Sequence, residues 1–232
     1  MYMKNAKQGY EQTLKKMKSM ANPRNVAGMA RYGIRPRSKV LGISVPSLRA
    51  MAKEIGKDHR LALRLWGSGV HEARVLACLV DDPQEVTVEQ MEEWVRGFDS
   101  WDVCDLCCGN LFDRTELAYR KAFEWSARED EYVKRAGYVM MAALSVHDKT
   151  ADDERFLAFL PVIIDGSGDD RNFVKKAVNW ALRQIGKRNR RLNKAAIKAG
   201  EEIARSKSSS ARWIASDALR ELKSEKVQNR LR

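Results

Sequence analysis

Two short clusters hold most of the residues that could do chemistry in this 232-residue chain. The first is Phe98-Asp99-Ser100-Trp101-Asp102-Val103-Cys104-Asp105. Ser100 can cap a helix, with Asp99 as the alternative cap. In such a helix Trp101 and Asp105 stand at i and i+4 and share one face. An aromatic beside a carboxylate shapes a pocket with a fixed negative charge. A core Trp, and an Asp that favours a helix N-terminus, account for the same pair. The second cluster runs from Asn172 to Lys187. Trp180, Arg183 and Lys187 lie at i, i+3 and i+7, one stripe with an aromatic and two cations. Phe173, Ala177, Ala181 and Gln184 mark another face. A ring suits a ribose and a cation suits a phosphate, so a sugar–phosphate chain fits this stripe. A core Trp with cations extended around it fits equally well.

Other candidates carry less. Cys104, Cys107 and Cys108 could place two or three sulfurs on one helix side. No Cys/His pair follows at zinc-finger spacing, and buried thiols are the plainer reading. His71-Glu72 does not open HExxH, and His147 fits a helix C-terminus. GxxxxGK[ST], GxGxxG and GxSxG are absent. Nucleotide hydrolysis, dinucleotide binding and serine hydrolysis therefore lose their standard signals. No metal and no cofactor are expected.

The elements that must position these clusters are helices. Gly (14) and Pro (5) are too sparse for the many turns of an all-β fold. Residues 9–21 are rich in Lys, Met, Gln and Glu. Ser44 or Val45 precedes Pro46 at the first turn of a helix, where Leu48, Met51, Ala52 and Ile55 show the i, i+3, i+4, i+7 pattern. Similar stretches follow near 58–67, 71–80, 87–98, 100–112, 115–127, 130–146, 153–164, 170–186, 190–205 and 209–223. A weak internal repeat runs through them. Residues 132–139 can be laid on 173–180, and 173–183 on 210–220, at offsets of 41 and 37; residues 71–79 are a fainter relative. Helix pairs at a period near 40 predict an all-α, HEAT- or armadillo-type solenoid with a concave basic face. A single repeat domain is expected over 1–232: N-terminal helices to about 40, repeats over 41–223, and a short basic tail.

Charge supplies the partner class. The chain carries 43 Lys+Arg and 31 Asp+Glu, a formal +12. Residues 171–232 hold net +13 and residues 1–170 net −1, which places the whole excess in the last quarter. A polyanion is the natural partner, and nucleic acid is the commonest one. Lys134, Arg135, Lys175 and Lys176 begin corresponding helices and should recur along one edge. No apolar run approaches a membrane span, and the basic N-terminus lacks the apolar core of a secretory signal. A reducing cytosol is the expected compartment, since CDLCC does not suit a disulfide framework.

The residues quoted above, with Tyr32-Gly33-Ile34, Gly42 to Arg49, His71-Glu72-Ala73-Arg74, Trp101 to Asp105, Lys134-Arg135-Ala136 and Lys175 to Arg183, resemble the AlkD-like DNA alkylation-repair glycosylases over roughly 30–223. The resemblance implies excision of cationic N3- and N7-alkylated purines from duplex DNA without flipping the base into a pocket. It implies that Asp105 is the catalytic carboxylate and that Trp101 and Trp180 cradle the deoxyribose. Arg135 or the neighbouring Lys134 would hold the DNA near the lesion. Arg183 would contact the backbone, with Lys175, Lys176 and Lys187 on the same basic face. The implied partner is duplex DNA carrying alkylated bases, bound by a monomer that is cytoplasmic and nucleoid-associated. The alternative is a non-cleaving HEAT-repeat protein that binds DNA structures or acts as a scaffold.

Overall fold

The computed structural model describes residues 2–231, with side chains from residue 9 onward. The chain forms two compact units, Met1–Thr115 and Glu116–Arg232. The all-α expectation holds: the described residues contain no strand, only an isolated bridge between Lys39 and Val70.

The first unit contains α1 (Tyr2–Ser19), α2 (Pro23–Met29), a 3-10 turn (Ala30–Tyr32), α3 (Val45–Ile55), α4 (His59–Trp66), α5 (His71–Val80), α6 (Val88–Arg96), α7 (Trp101–Asn110) and a second 3-10 turn (Phe112–Arg114). Local chemistry sets most of the starts. The side chains of Asn22, Ser44, Asp58 and Thr87 each accept a backbone N–H in the first turn of α2, α3, α4 and α6. Helices α3, α5 and α7 pack in succession, and α4 packs on α5. Helix α6 joins through Trp94, stacked on Trp66 of α4 with ring centroids 4.1 Å apart. Helices α3, α5 and α7 begin 26 and 30 residues apart, a shorter period than the sequence repeat.

No side chain caps α5. Its start is tied instead by two bridge hydrogen bonds, from Lys39 N to Gly69 O and from His71 N to Lys39 O, both 2.9 Å. Its first turn then buries two titratable side chains, His71 and Glu72, at 1% and 2% exposure. The Glu72 carboxylate accepts the backbone N–H of Leu41 at 2.9 Å and of Gly42 at 2.5 Å, pinning the loop that leads to α3. His71 Nε2 lies 2.8 Å from Asp102 Oδ2 in the first turn of α7. A carboxylate only accepts, so Nε2 carries the proton. The other Asp102 oxygen accepts from Ser100 Oγ at 2.6 Å. Burial pushes the Asp102 carboxyl up. The hydrogen bond and charge of His71, with the bond from Ser100, more than offset this and hold it below the ordinary aspartate value.

The second unit contains α8 (Ala118–Ser126), α9 (Glu131–His147), α10 (Asp153–Leu157), α11 (Phe159–Gly166), α12 (Asn172–Gly186), α13 (Arg190–Ile203), α14 (Ser209–Leu222) and α15 (Glu225–Gln228). Here the repeat shows directly. Helices α9, α12 and α14 begin at 131, 172 and 209, offsets of 41 and 37, and α12 packs against both of the others. The equivalent rings of Tyr132 and Phe173 stack with centroids 5.6 Å apart. Helix α8 meets α9 so closely at Gly137 that a Cβ there would sit 2.3 Å from Ser126 N and 2.9 Å from Ala122 O. The glycine is what lets the two backbones touch.

The structure differs from the periodicity in three places. The helix expected over 153–164 is two, α10 and α11, broken at Ala158. Pro161 has no N–H to give, and its ring would clash with the carbonyl of Leu157, so one continuous helix is not available. Helices α2 and α15, of seven and four residues, are too short to show a period. The helix expected over 9–21 starts earlier, at Tyr2.

Two outcomes test this packing. Gly137→Ala should destabilise the protein by about 1–3 kcal/mol, because the new methyl meets backbone rather than a flexible side chain. Thermal denaturation would show it as a drop of several degrees, and an unchanged midpoint would mean that α8 and α9 part at no cost. Asp102→Asn should cost about 1–3 kcal/mol at neutral pH. A depressed carboxyl pKa contributes stability above the unfolded value and loses it as the pH falls through the folded one. The gap in melting temperature between the natural protein and Asp102→Asn should therefore be full above about pH 4 and close at lower pH. A gap that stays constant down to the acid limit of folding would remove the Asp102 charge from the account.

Candidate functional site

Helix α7 begins where expected, with Ser100 at the N-cap in extended conformation (φ −154°, ψ 151°). Its hydroxyl does not cap the backbone but holds Asp102, and its carbonyl accepts the first intrahelical bond, from Cys104 N at 3.3 Å. Asp99 is equally committed. Its Oδ2 accepts from Arg37 N at 2.8 Å, and its Oδ1 lies 3.3 Å from Arg74 Nη1. Asp99 and Asp102 are thus tied into unit 1.

The remaining residues of α7 sort into two sides. Val103, Cys104, Cys107 and Cys108 are fully buried, and Cys78 of α5 joins the sulfurs. Burial, then the neighbouring thiols, push Cys107 well up; burial, then Cys104, then the charge of Asp105 do the same to Cys108. These are protonated, inert thiols. Among the described residues no group of three or more His, Cys, Asp or Glu is placed to hold a metal. The other side carries Trp101 and Asp105, both half-buried and one turn apart, as the spacing predicts. Trp101 is fixed by its Nε1–H, which donates to Tyr32 O at 2.9 Å. Tyr32 itself is 74% exposed.

The expected residues of unit 2 are arranged differently from one another. Trp180, Arg183 and Lys187 form a half-buried stripe on α12. Its cations are paired with α14: Arg183 lies 3.1 Å from both Asp217 and Glu221, and Lys187 Nζ lies 3.0 Å from Glu221. Asn179 also donates to Asp217, at 2.7 Å. On α9, Lys134 lies 3.5 Å from Asp169. Arg135, expected at the DNA, is 5% exposed and donates to Phe173 O at 2.5 Å, binding α9 to α12. Lys175 Nζ sits 5.1 Å from the Trp213 ring centroid, and Lys176 is exposed.

Sequence reasoning passed over four partners. Asp217 and Glu221 neutralise the α12 stripe from 34 residues or more away. Tyr32 was legible only as part of a motif. Trp213 is the repeat equivalent of Lys176, and its place in the register was the available signal.

Similarity to known proteins agrees with this architecture. One solved structure superposes with a TM-score of 0.75 at 19% identity, over 91% of this chain and 94% of the other. It is described as a new family of proteins related to the HEAT-like repeat DNA glycosylases with affinity for branched DNA structures. The uncharacterized protein Lin0241 of Listeria innocua is 22% identical over 132 residues, and the uncharacterized protein Lmo0209 of Listeria monocytogenes is 20% identical over the same length. In each case the match covers 56% of this chain and 59% of the relative, so the chain spans about three-fifths of their length. A family model described as DNA alkylation repair enzyme matches residues 13–222, and the chain belongs to that family.

Proposed function

We propose that this protein is a DNA glycosylase that hydrolyses the N-glycosidic bond of cationic N3- and N7-alkylated purines in duplex DNA. The observation that carries the reading is the Trp101–Asp105 face of α7 in a chain of this family. Asp105 is the carboxylate of this cluster that stands one turn along α7 from Trp101, and both side chains are half-buried.

The reaction asks little of an acid. An alkylated purine already carries a positive charge. When the bond from C1′ breaks, the electron pair moves to the base and neutralises it. Positive charge then develops on the deoxyribose. The Asp105 carboxylate stabilises that charge and orients the water that adds to C1′, taking up its proton. The electron-rich face of Trp101 attracts the same cationic sugar. Trp180, on α12 of unit 2, is proposed as a ring contact to a deoxyribose of the bound DNA.

The basic face is read with the pairing in mind. Lys175 and Lys176 reach phosphate directly. Lys134, Arg183 and Lys187 do so by exchanging a carboxylate partner for a phosphate oxygen. Arg135 acts from inside, by holding α12 against α9.

A second reading is a protein that binds DNA structures without cleaving. It draws support from the structural neighbour, which is described by its affinity for branched DNA. A non-cleaving binder has no use for a carboxylate beside an aromatic ring, which favours the enzyme.

Asp105→Asn keeps the size of the side chain and removes its charge. Release of 3-methyladenine or 7-methylguanine from methylated duplex should fall by about 10²-fold or more. Duplex affinity should hold, because losing a negative charge cannot weaken attraction to phosphate. Full activity in Asp105→Asn would remove the catalytic role. Lys176→Ala should weaken binding to all duplex sequences alike, since phosphate contacts carry no base information. A sequence-dependent loss in gel-shift titrations would contradict that role.

A further inference from the structure

The charge of unit 1 is segregated in a way that its total conceals. Residues 1–53 carry 12 Lys+Arg and one acid, Glu11, a net of +11. Residues 54–170 carry a net of −12, which hides this excess in any sum over 1–170. The excess is not confined to the last quarter. The cations around one cleft of unit 1 show where part of it is directed.

That cleft has a volume of about 310 Å³ and lies at the C-terminal ends of α3, α5 and α7. Arg49, Lys53 and Lys57 line it from α3 and the residues just after it, and Arg114 from the second 3-10 turn. The other lining residues are Ala52, Gly56, Leu79 and Asn110, so no carboxylate borders it. Lys57 forms a fixed cation at its edge, donating to Leu79 O at 3.2 Å and Asp81 O at 2.6 Å. These bonds cap the exposed carbonyls of α5 and leave the positive charge uncompensated by an ion pair. Asp81 itself is engaged by His59 at 2.7 Å and by Gln90 at 2.6 Å. Burial, and then the charge of Arg114, lower the Lys57 pKa; the charges of Asp81 and Asp82, which do not line the cleft, act the other way and offset this only in part. Arg49, Lys53 and Arg114 have no carboxylate partner among the described residues. The nearest acid on α3, Glu54, is paired with Lys16 at 2.5 Å.

We infer that this cleft is a binding site for the phosphodiester backbone of DNA, separate from the α7 face and from the basic residues of unit 2. Like charges brought to one cleft without an anion repel, and a phosphate oxygen relieves that repulsion while accepting several N–H bonds. The kind of phosphate follows from exposure. Arg49, Lys53, Lys57 and Arg114 are all exposed, and the cleft offers little apolar wall to hold a base or a sugar. A ligand that leaves most of its surface in solvent fits better than an enclosed nucleotide, and a continuous backbone is such a ligand. The inference rests on the DNA-binding part of the proposed function but not on catalysis.

The test is the salt dependence of binding to unmodified duplex, for the natural protein and for Arg49→Gln/Lys53→Gln/Arg114→Gln. All three side chains are exposed, so the variant should melt at nearly the natural temperature. The slope of log affinity against log salt should become shallower by about 2 to 3, close to 0.9 for each lost phosphate contact. A control with the same charge loss, Lys15→Gln/Lys18→Gln/Arg60→Gln, should change it by less than one. An unchanged slope in the cleft variant, or an equal change in the control, would overturn the site. So would stabilisation by millimolar inorganic phosphate that the cleft variant loses while its duplex slope stays natural, since the ligand would then be free phosphate. Base release, assayed in parallel, separates the two claims. Release with an unchanged slope removes the cleft and keeps the glycosylase. A shallower slope in a protein that releases no base keeps the cleft and removes the glycosylase.

Discussion

A buried carboxylate must be matched, because removing it from water costs several kcal/mol unless hydrogen bonds and opposite charge replace the lost hydration. Unit 1 holds two such groups, Glu72 in the first turn of α5 and Asp102 in the first turn of α7. Glu72 is matched by backbone N–H groups and thereby fixes the loop before α3. Asp102 is matched by His71 and Ser100 and thereby fixes the first turn of α7. The consequence reaches the candidate site. With Asp102 holding the first turn, the 3.6-residue period places Trp101 and Asp105 on one half-exposed face of α7 and turns the thiols to the interior.

The same logic, with the signs reversed, runs through unit 2. Arg183 and Lys187 face Asp217 and Glu221 across α12 and α14, and Arg135 is spent on a carbonyl inside the unit. A basic composition therefore overstates the positive charge available to a partner. What counts is the cations without a carboxylate beside them, such as Lys176 and the three around the cleft of unit 1. This separates residues that build the repeat stack from residues that can meet a polyanion.

Much of this was legible in the sequence, for physical reasons that also mark where legibility stops. The starts of α9, α12 and α14 reproduce the 41- and 37-residue offsets, because stacked helix pairs repeat their buried positions. Trp101 and Asp105 share a face because spacing alone decides that. Pro161 was visible as a residue, but its power to split a helix depends on where the carbonyl of Leu157 falls. The partners of Arg183 and the burial of Arg135 depend on packing between helices some 34 to 40 residues apart, which no local period reports. The cationic cleft was missed for another reason. Summing charge over 1–170 cancelled a basic N-terminal quarter against an acidic middle, although the residues themselves were in plain view.

The central claim is that Asp105, on the same face of α7 as the Trp101 ring, is the carboxylate that serves the breaking of a glycosidic bond. The most direct measurement is incubation of the protein with methylated duplex DNA, followed by quantification of the free bases. The account predicts release of 3-methyladenine and 7-methylguanine well above the spontaneous rate, with unmodified purines left in place. Tight binding to the same DNA with no base released above background would contradict it and would favour a protein that recognises DNA without cutting it.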